Sequence, residues 1–237
     1  EFQLKQSDVR QNPQIINFKE TSTHKWLCHS ICSSCPIRLQ KYNFNIAYKL
    51  QNLNSRTERI YILQSKDRGN GKSTTYYMWK AILGVDYCLW YNSWKEFIDQ
   101  FNGKQAGKLI IFCDDVSQIT ATESQTLNSR VTCGIMEYNT KHEKKITLSC
   151  RDELFFTSND KNPMYTSLDD RRKFHIKVSP FYTRNYEFFD KVYSEFEDFN
   201  HRHAMFRFYS TLEIPSDFNP KKDTALLYPE IKYEQKQ

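Results

Sequence analysis

The residues best suited to chemistry fall in Ser65–Gly84, SKDRGNGKSTTYYMWKAILG. Gly69, Asn70 and Gly71 precede Lys72, Ser73 and Thr74, and the stretch follows an apolar run, ERIYILQ. Glycines in such a turn leave the backbone free to point successive N–H groups at one anion. The lysine would pair with the β- and γ-phosphates of a nucleotide, and the serine hydroxyl would hold Mg²⁺. Read backward from Lys72, the pattern G-x-x-x-x-G-K-[ST] has Gly71 in place but Lys66 where the first glycine belongs. That first position makes a turn at the strand exit rather than a phosphate contact. Gly84 is placed to cap the helix that follows. A bare G-K-S could equally be a turn before an ordinary helix; the strand–loop–helix setting favours the phosphate loop.

Downstream, KLIIFCDD (Lys108–Asp115) ends an apolar run in two adjacent acids. One carboxylate, assigned here to Asp114, can hold Mg²⁺; the next, Asp115, can orient or deprotonate an attacking water. ELFFTSND (Glu153–Asp160) places Asn159 at the end of another run, where its amide could contact the γ-phosphate and the water. Asn is also a common turn former, and an acidic strand end is common too. SLDDRRKFHI offers Arg171 and Arg172. An arginine reaching the γ-phosphate of a neighbouring subunit is worth about 10³–10⁵ in rate in related systems. The plainer reading is local pairing with Asp169 and Asp170.

These residues need a scaffold. The short apolar runs at Glu58–Gln64, Lys108–Asp115 and Glu153–Asp160 suit strands of a parallel sheet covered on both faces. Ligands of such sheets gather at the carboxyl ends of the strands, where the polar residues fall. Residues 1–56 read as mostly helical, with YNFNIAYKLQNLNSR as the closing helix. After Pro180 a helical pattern returns, with Phe188, Phe189, Val192, Phe196 and Phe199 as core positions, and a polar tail follows from Glu213. The division is therefore 1–56, an N-terminal helical segment; 57–180, an α/β core; and 181–237, a C-terminal helical segment and tail.

Composition narrows the class without naming it. At 39% hydrophobic and 26% charged, the 237 residues are ordinary for a globular protein, and no apolar run approaches the roughly 20 residues of a membrane span. No signal peptide is read, and Glu1 in place of Met leaves room for a preceding segment. A net charge of +6 is compatible with nucleic acid and with much else. Seven cysteines, four of them scattered singly, suit thiols in a reducing intracellular compartment. Cys28, Cys32 and Cys35, near His24 and His29, have helix spacing, where cysteine serves as a small buried apolar residue; the second Cys/His pair of a zinc site is absent downstream.

The order GNGKST, IIFCDD, a basic segment, FFTSN and DDRRKFHI resembles that of superfamily 3 helicases, AAA+-related ring motors of DNA viruses and mobile elements. It is most similar to the helicase portion of poxvirus- and phage-type primase–helicases, and the likeness runs from about Asn43 to Thr224, including FNIAYKLQN, FFDKVYSEF and DFNPKKDT. The resemblance implies an AAA+-like P-loop core, ATP and Mg²⁺ as cofactors, a homo-hexamer with ATP sites between subunits, 3′-to-5′ movement on single-stranded DNA, and a role in replication. RNA is left open as the track, and a primase domain in a parent chain is left open too. In EYNTKHEKKITLS the family carries a hairpin whose basic residue enters the ring's pore; Lys141 matches that position, with Lys144 and Lys145 beside it. A solvated charged hairpin would look the same locally. Two other readings remain: a small-molecule kinase, which leaves the hairpin and arginines without work, and a non-hydrolysing ring scaffold, for which Lys66 is the one motif residue.

Overall fold

The computed structural model describes residues 16–166 and 170–223. A short α1 (Ser22–Trp26) runs into a wide π turn at Leu27–Ile31, and α2 (Pro36–Gln51) opens on proline, whose missing N–H has no partner to lose there. Then come β1 (Ile60–Gln64), α3 (Thr74–Leu83), β2 (Cys88–Tyr91), α4 (Trp94–Phe97), β3 (Ile110–Cys113), α5 (Ala121–Thr132), β4 (Ile135–Tyr138), β5 (Ile146–Ser149), β6 (Glu153–Ser158) and β7 (Lys173–Lys177). The helices α6 (Tyr186–Glu197), α7 (Phe199–Ser210) and α8 (Pro220–Asp223) close the described chain. The closing helix of the N-terminal segment stops at Gln51, short of the expected end. The buried Lys49 ammonium collects the carbonyls of Leu53 and Ser55 at 3.4 and 2.8 Å, and that of Arg151, and so draws the chain out of helix.

The molecule is α/β, built on a five-stranded sheet in the order β2-β3-β6-β1-β7 with every pairing parallel. Both faces are buried, which is why the strands read as continuous apolar runs. Tyr61, Leu63, Phe112, Phe155 and Phe174 face one core; Ile60, Ile62, Ile111, Leu154 and Phe156 face the other, which α5 covers through Leu127 and Val131. The first core also takes Trp26, Tyr42, Met78, Phe189, Val192 and Tyr209, so helices from both ends of the chain share it with α3. Glu195 on α6 accepts the N–H groups of Ser22 and Thr23 at 2.7 and 2.8 Å, a carboxylate at the start of α1 where the helix dipole favours it. Phe189, Val192 and Phe196 are core as expected, but Phe199 starts a new helix: Asp198 caps α7 by accepting the His201 N–H, which breaks the α6 spacing.

The strands β4 and β5 stand apart as an antiparallel hairpin, Ile135 opposite Ser149 and Tyr138 opposite Ile146. The first residue of its connecting loop is tied down: the Asn139 N–H donates to Asn102 Oδ1 at 2.7 Å, and the Gly103 N–H to the Asn139 carbonyl at 3.0 Å. Residues 141–149 are all exposed.

Candidate nucleotide-binding site

Three adjacent strands deliver the site. Register sets Cys113 beside Phe156, and Gln64 beside Ser158, so Asp114 falls next to Thr157 and the loop after β1 opens next to Asn159. The Ser65 N–H continues the ladder to the Ser158 carbonyl at 3.1 Å before the chain leaves the sheet. Beyond lies a cleft of about 460 Å³, within the size range of ligand pockets, lined by Arg68 to Thr74, Asp114, Asp115, Thr157, Asn159, Tyr186, Phe189 and Tyr193.

Gly69 and Gly71 adopt φ of +76° and +87°, conformations open to glycine and strained for other residues. Lys66 is not among the residues with positive φ and is exposed, so its position makes no demand for glycine. Lys72, itself buried, donates to Asn159 Oδ1 at 2.8 Å and to the Asp67 carbonyl at 3.2 Å. Burial pulls the Lys72 ammonium below the ordinary lysine range, and the carboxylates of Asp114 and Asp115 offset part of that. Ser73 sits at the N-cap of α3 but makes no capping bond with its hydroxyl. Asn70 is buried and donates to the Ser65 hydroxyl, which holds the turn closed.

The two acids are set by a residue that the motif reading missed. Thr157 donates its hydroxyl to Asp114 Oδ1 and accepts the Asp115 N–H at 3.0 Å, so one side chain fixes both. Asp115 lies at φ +48°, an uncommon backbone state that Asp tolerates better than most, and its carboxylate accepts from Asn159 Nδ2 at 3.3 Å. Its place two residues before Asn159 in FFTSN was the available signal for Thr157. Trp26, Arg184 and Tyr193 were missed for want of any local signal, and Phe189 was read as a core position alone. A Cβ on Gly71 would sit 2.6 Å from Trp26 Nε1 and 2.7 Å from a Phe189 ring carbon; Arg184 donates its N–H to the Gly69 carbonyl at 2.9 Å; the Thr74 and Tyr193 hydroxyls are 3.1 Å apart.

Gly69, Asn70, Gly71, Lys72, Ser73, Thr74, Asp114, Asp115 and Asn159 thus converge. Arg171 and Arg172 do not join them within the chain. The Ile60 N–H donates to the Arg172 carbonyl at 2.7 Å, so both arginines lie at the start of β7 beside the start of β1, one strand length, about 16 Å, from the loop at its end. Arg172 is 3.8 Å from Asp170, its N–H donates to the same carboxylate at 2.9 Å, and Arg171 is exposed; Asp169 lies outside the described residues. Lys141 and Lys144 are on the loop of the hairpin, away from the cleft, and Lys145 pairs with Glu137 at 2.6 Å. Cys32 is buried and Cys28 and Cys35 are half-buried; among the described residues no three metal-binding side chains converge.

The fold has known counterparts. Residues 63–172, short of half the chain but reaching from β1 to Arg172, match the model of a family of unknown function, DUF5906. No curated protein matches the sequence. The apo structure of the NrS-1 C-terminal region superposes with a TM-score of 0.75 at 15% identity, covering 94% of this chain and 54% of that one. A JCV helicase bound to a small-molecule acetamide gives 0.51 at 15% identity, covering 94% and 61%. The chain has a helicase-like P-loop fold. It spans about half the length of the NrS-1 region that it matches.

Proposed function

We propose that this chain is the motor domain of an ATP-dependent nucleic-acid translocase of superfamily 3 type, hydrolysing ATP with Mg²⁺ in the cleft. One observation carries the reading: Lys72, Asp114, Asp115 and Asn159, spread over 88 residues, meet at the carboxyl ends of three adjacent strands, with Lys72 Nζ already bonded to Asn159. The helicase-like fold supports it. The non-hydrolysing scaffold rested on Lys66, whose backbone is ordinary.

The chain's own residues would act as follows. The amides of Gly69–Ser73 bind the triphosphate, and Lys72 exchanges its protein acceptors for β- and γ-phosphate oxygens. The Ser73 hydroxyl and the Asp114 carboxylate are hard oxygen donors facing one cleft, a set that fits Mg²⁺ together with phosphate oxygens and water. When bound, Mg²⁺ would neutralise charge on the phosphates. Asp115 accepts a proton from, or orients, the attacking water, and Asn159 links Lys72 to Asp115 and so couples the state of the γ-phosphate to that water. Arg171 or Arg172 would reach a neighbouring protomer's γ-phosphate in a ring, a hexamer by resemblance. Lys141 and Lys144, unpaired among the described residues, would track the phosphates of a single strand, DNA in a replication role.

Steady-state ATP hydrolysis at low salt, with and without single-stranded DNA, tests this on wild type and Lys72→Ala. The expected result is turnover that rises with DNA and disappears in the variant. Turnover indifferent to DNA would favour a kinase-like enzyme, and an assembled, DNA-bound protein without turnover would refute the motor.

A further inference from the structure

The phosphate loop and acids account for a triphosphate and leave the rest of a nucleotide unplaced. The loop runs from Lys72, bonded to Asn159 beside the acids, to Thr74, bonded to Tyr193. A triphosphate laid along it with its γ end at Asp115 and Asn159 directs its sugar and base toward α6. There Tyr186, Phe189 and Tyr193 line the cleft, at spacings of three and four residues and hence on one helix face.

Two of these rings have structural work. Phe189 closes on Gly71, and Tyr193 packs edge-on against Tyr77 at 5.4 Å while its hydroxyl meets Thr74. Tyr186 has none: it is 72% exposed at the cleft's rim, with no ring partner among the described residues. An aromatic face held at the first turn of a helix, beside a site for triphosphate, is suited to stack a base. The cleft's polar side chains cluster on the loop and the acids; at the α6 wall the polar side-chain atoms are the two tyrosine hydroxyls, and that of Tyr193 is already engaged.

We infer that Tyr186 forms the base subsite of the proposed nucleotide site and holds the base by its face, so that the protein accepts ATP and GTP alike. This rests on the nucleotide reading above. Every base offers a π face, whereas separating adenine from guanine requires donors and acceptors aimed at the base edge.

Calorimetric binding of ATP, GTP and inorganic tripolyphosphate, each with Mg²⁺, to the full chain tests it on wild type, Tyr186→Ala and Tyr186→Phe. ATP and GTP should bind within about threefold of each other, as expected for a base held by its face. Tyr186→Ala should weaken both by about tenfold, within the range of one base–aromatic stack, leave tripolyphosphate unchanged, and be rescued by Tyr186→Phe. A preference for ATP over GTP beyond about thirtyfold, which needs edge recognition, would overturn the inference. So would an equal loss for tripolyphosphate. If tripolyphosphate binds and nucleotides bind no better, the subsite alone falls; if neither binds, the phosphate site falls and takes the subsite with it.

Discussion

Replacing Gly71 with alanine measures how tightly the loop is held by the rest of the fold. Two costs add. At φ +87° a Cβ is strained by about 1–2 kcal/mol. The new methyl would also lie 2.6 Å from Trp26 Nε1 and 2.7 and 2.8 Å from two Phe189 ring carbons, distances at which something must move. Both partners are buried, at 0% and 9% exposure, so relief means repacking a core, for about 1–3 kcal/mol more. Gly107 supplies the control: it has φ +73° and open space around its Cβ, so Gly107→Ala pays the conformational cost alone. Thermal unfolding followed by circular dichroism should place Gly71→Ala about 4–20 °C below wild type, at about 2–4 °C per kcal/mol for a chain of this size. Gly107→Ala should lose about 2–8 °C on the same basis. Equal losses would refute the clamp of Trp26 and Phe189 on the loop.

Thr157→Val removes the hydroxyl shared by Asp114 and Asp115. ATP turnover should fall by about 10–100-fold, the usual cost of an outer-shell partner, while tripolyphosphate binding in the absence of Mg²⁺ stays as in wild type. Asp170 accepts from the buried Lys173 ammonium at 3.0 Å, from Asn128 at 3.1 Å and from the Arg172 N–H at 2.9 Å. Burial alone would raise its carboxyl, but the Arg172 N–H and the Lys173 charge outweigh it and hold the group below its usual value. A depressed folded value stabilises above the ordinary carboxylate range and is lost as pH falls through it, so the wild-type melting temperature should drop below about pH 4. Asp170→Asn should cost about 3–5 kcal/mol at neutral pH and flatten that acid limb, read by melting curves across pH.

Much of the site could be read along the chain because its parts are local. The apolar runs at Ile60–Gln64, Ile110–Cys113 and Glu153–Ser158 are strands covered on both faces, and the polar residues after each had to fall at their carboxyl ends. The positive φ of Gly69 and Gly71 is a backbone requirement that glycine announces by itself. Lys66 needed the structure: a motif says which residue is missing, and only the φ at that position says whether its absence matters.

The tertiary structure alone decided what surrounds the loop. Trp26 lies 45 residues before Gly71 and Phe189 lies 118 after it, yet both would touch a Cβ placed there. No periodicity in the sequence carries a contact over such separations; it arises when helices from both ends bury their apolar faces against one side of the sheet. The strand order separated other pieces that the sequence sets close together. Arg171 and Arg172 follow Asn159 by a dozen residues, but β7 runs parallel to β1, and the connection must return the chain to the opposite end of the sheet before that strand begins. Residue types along the chain determined the chemistry the molecule can offer. Which of those residues share a cleft followed from the parallel sheet, because parallel strands gather their exits at one end and their entrances at the other.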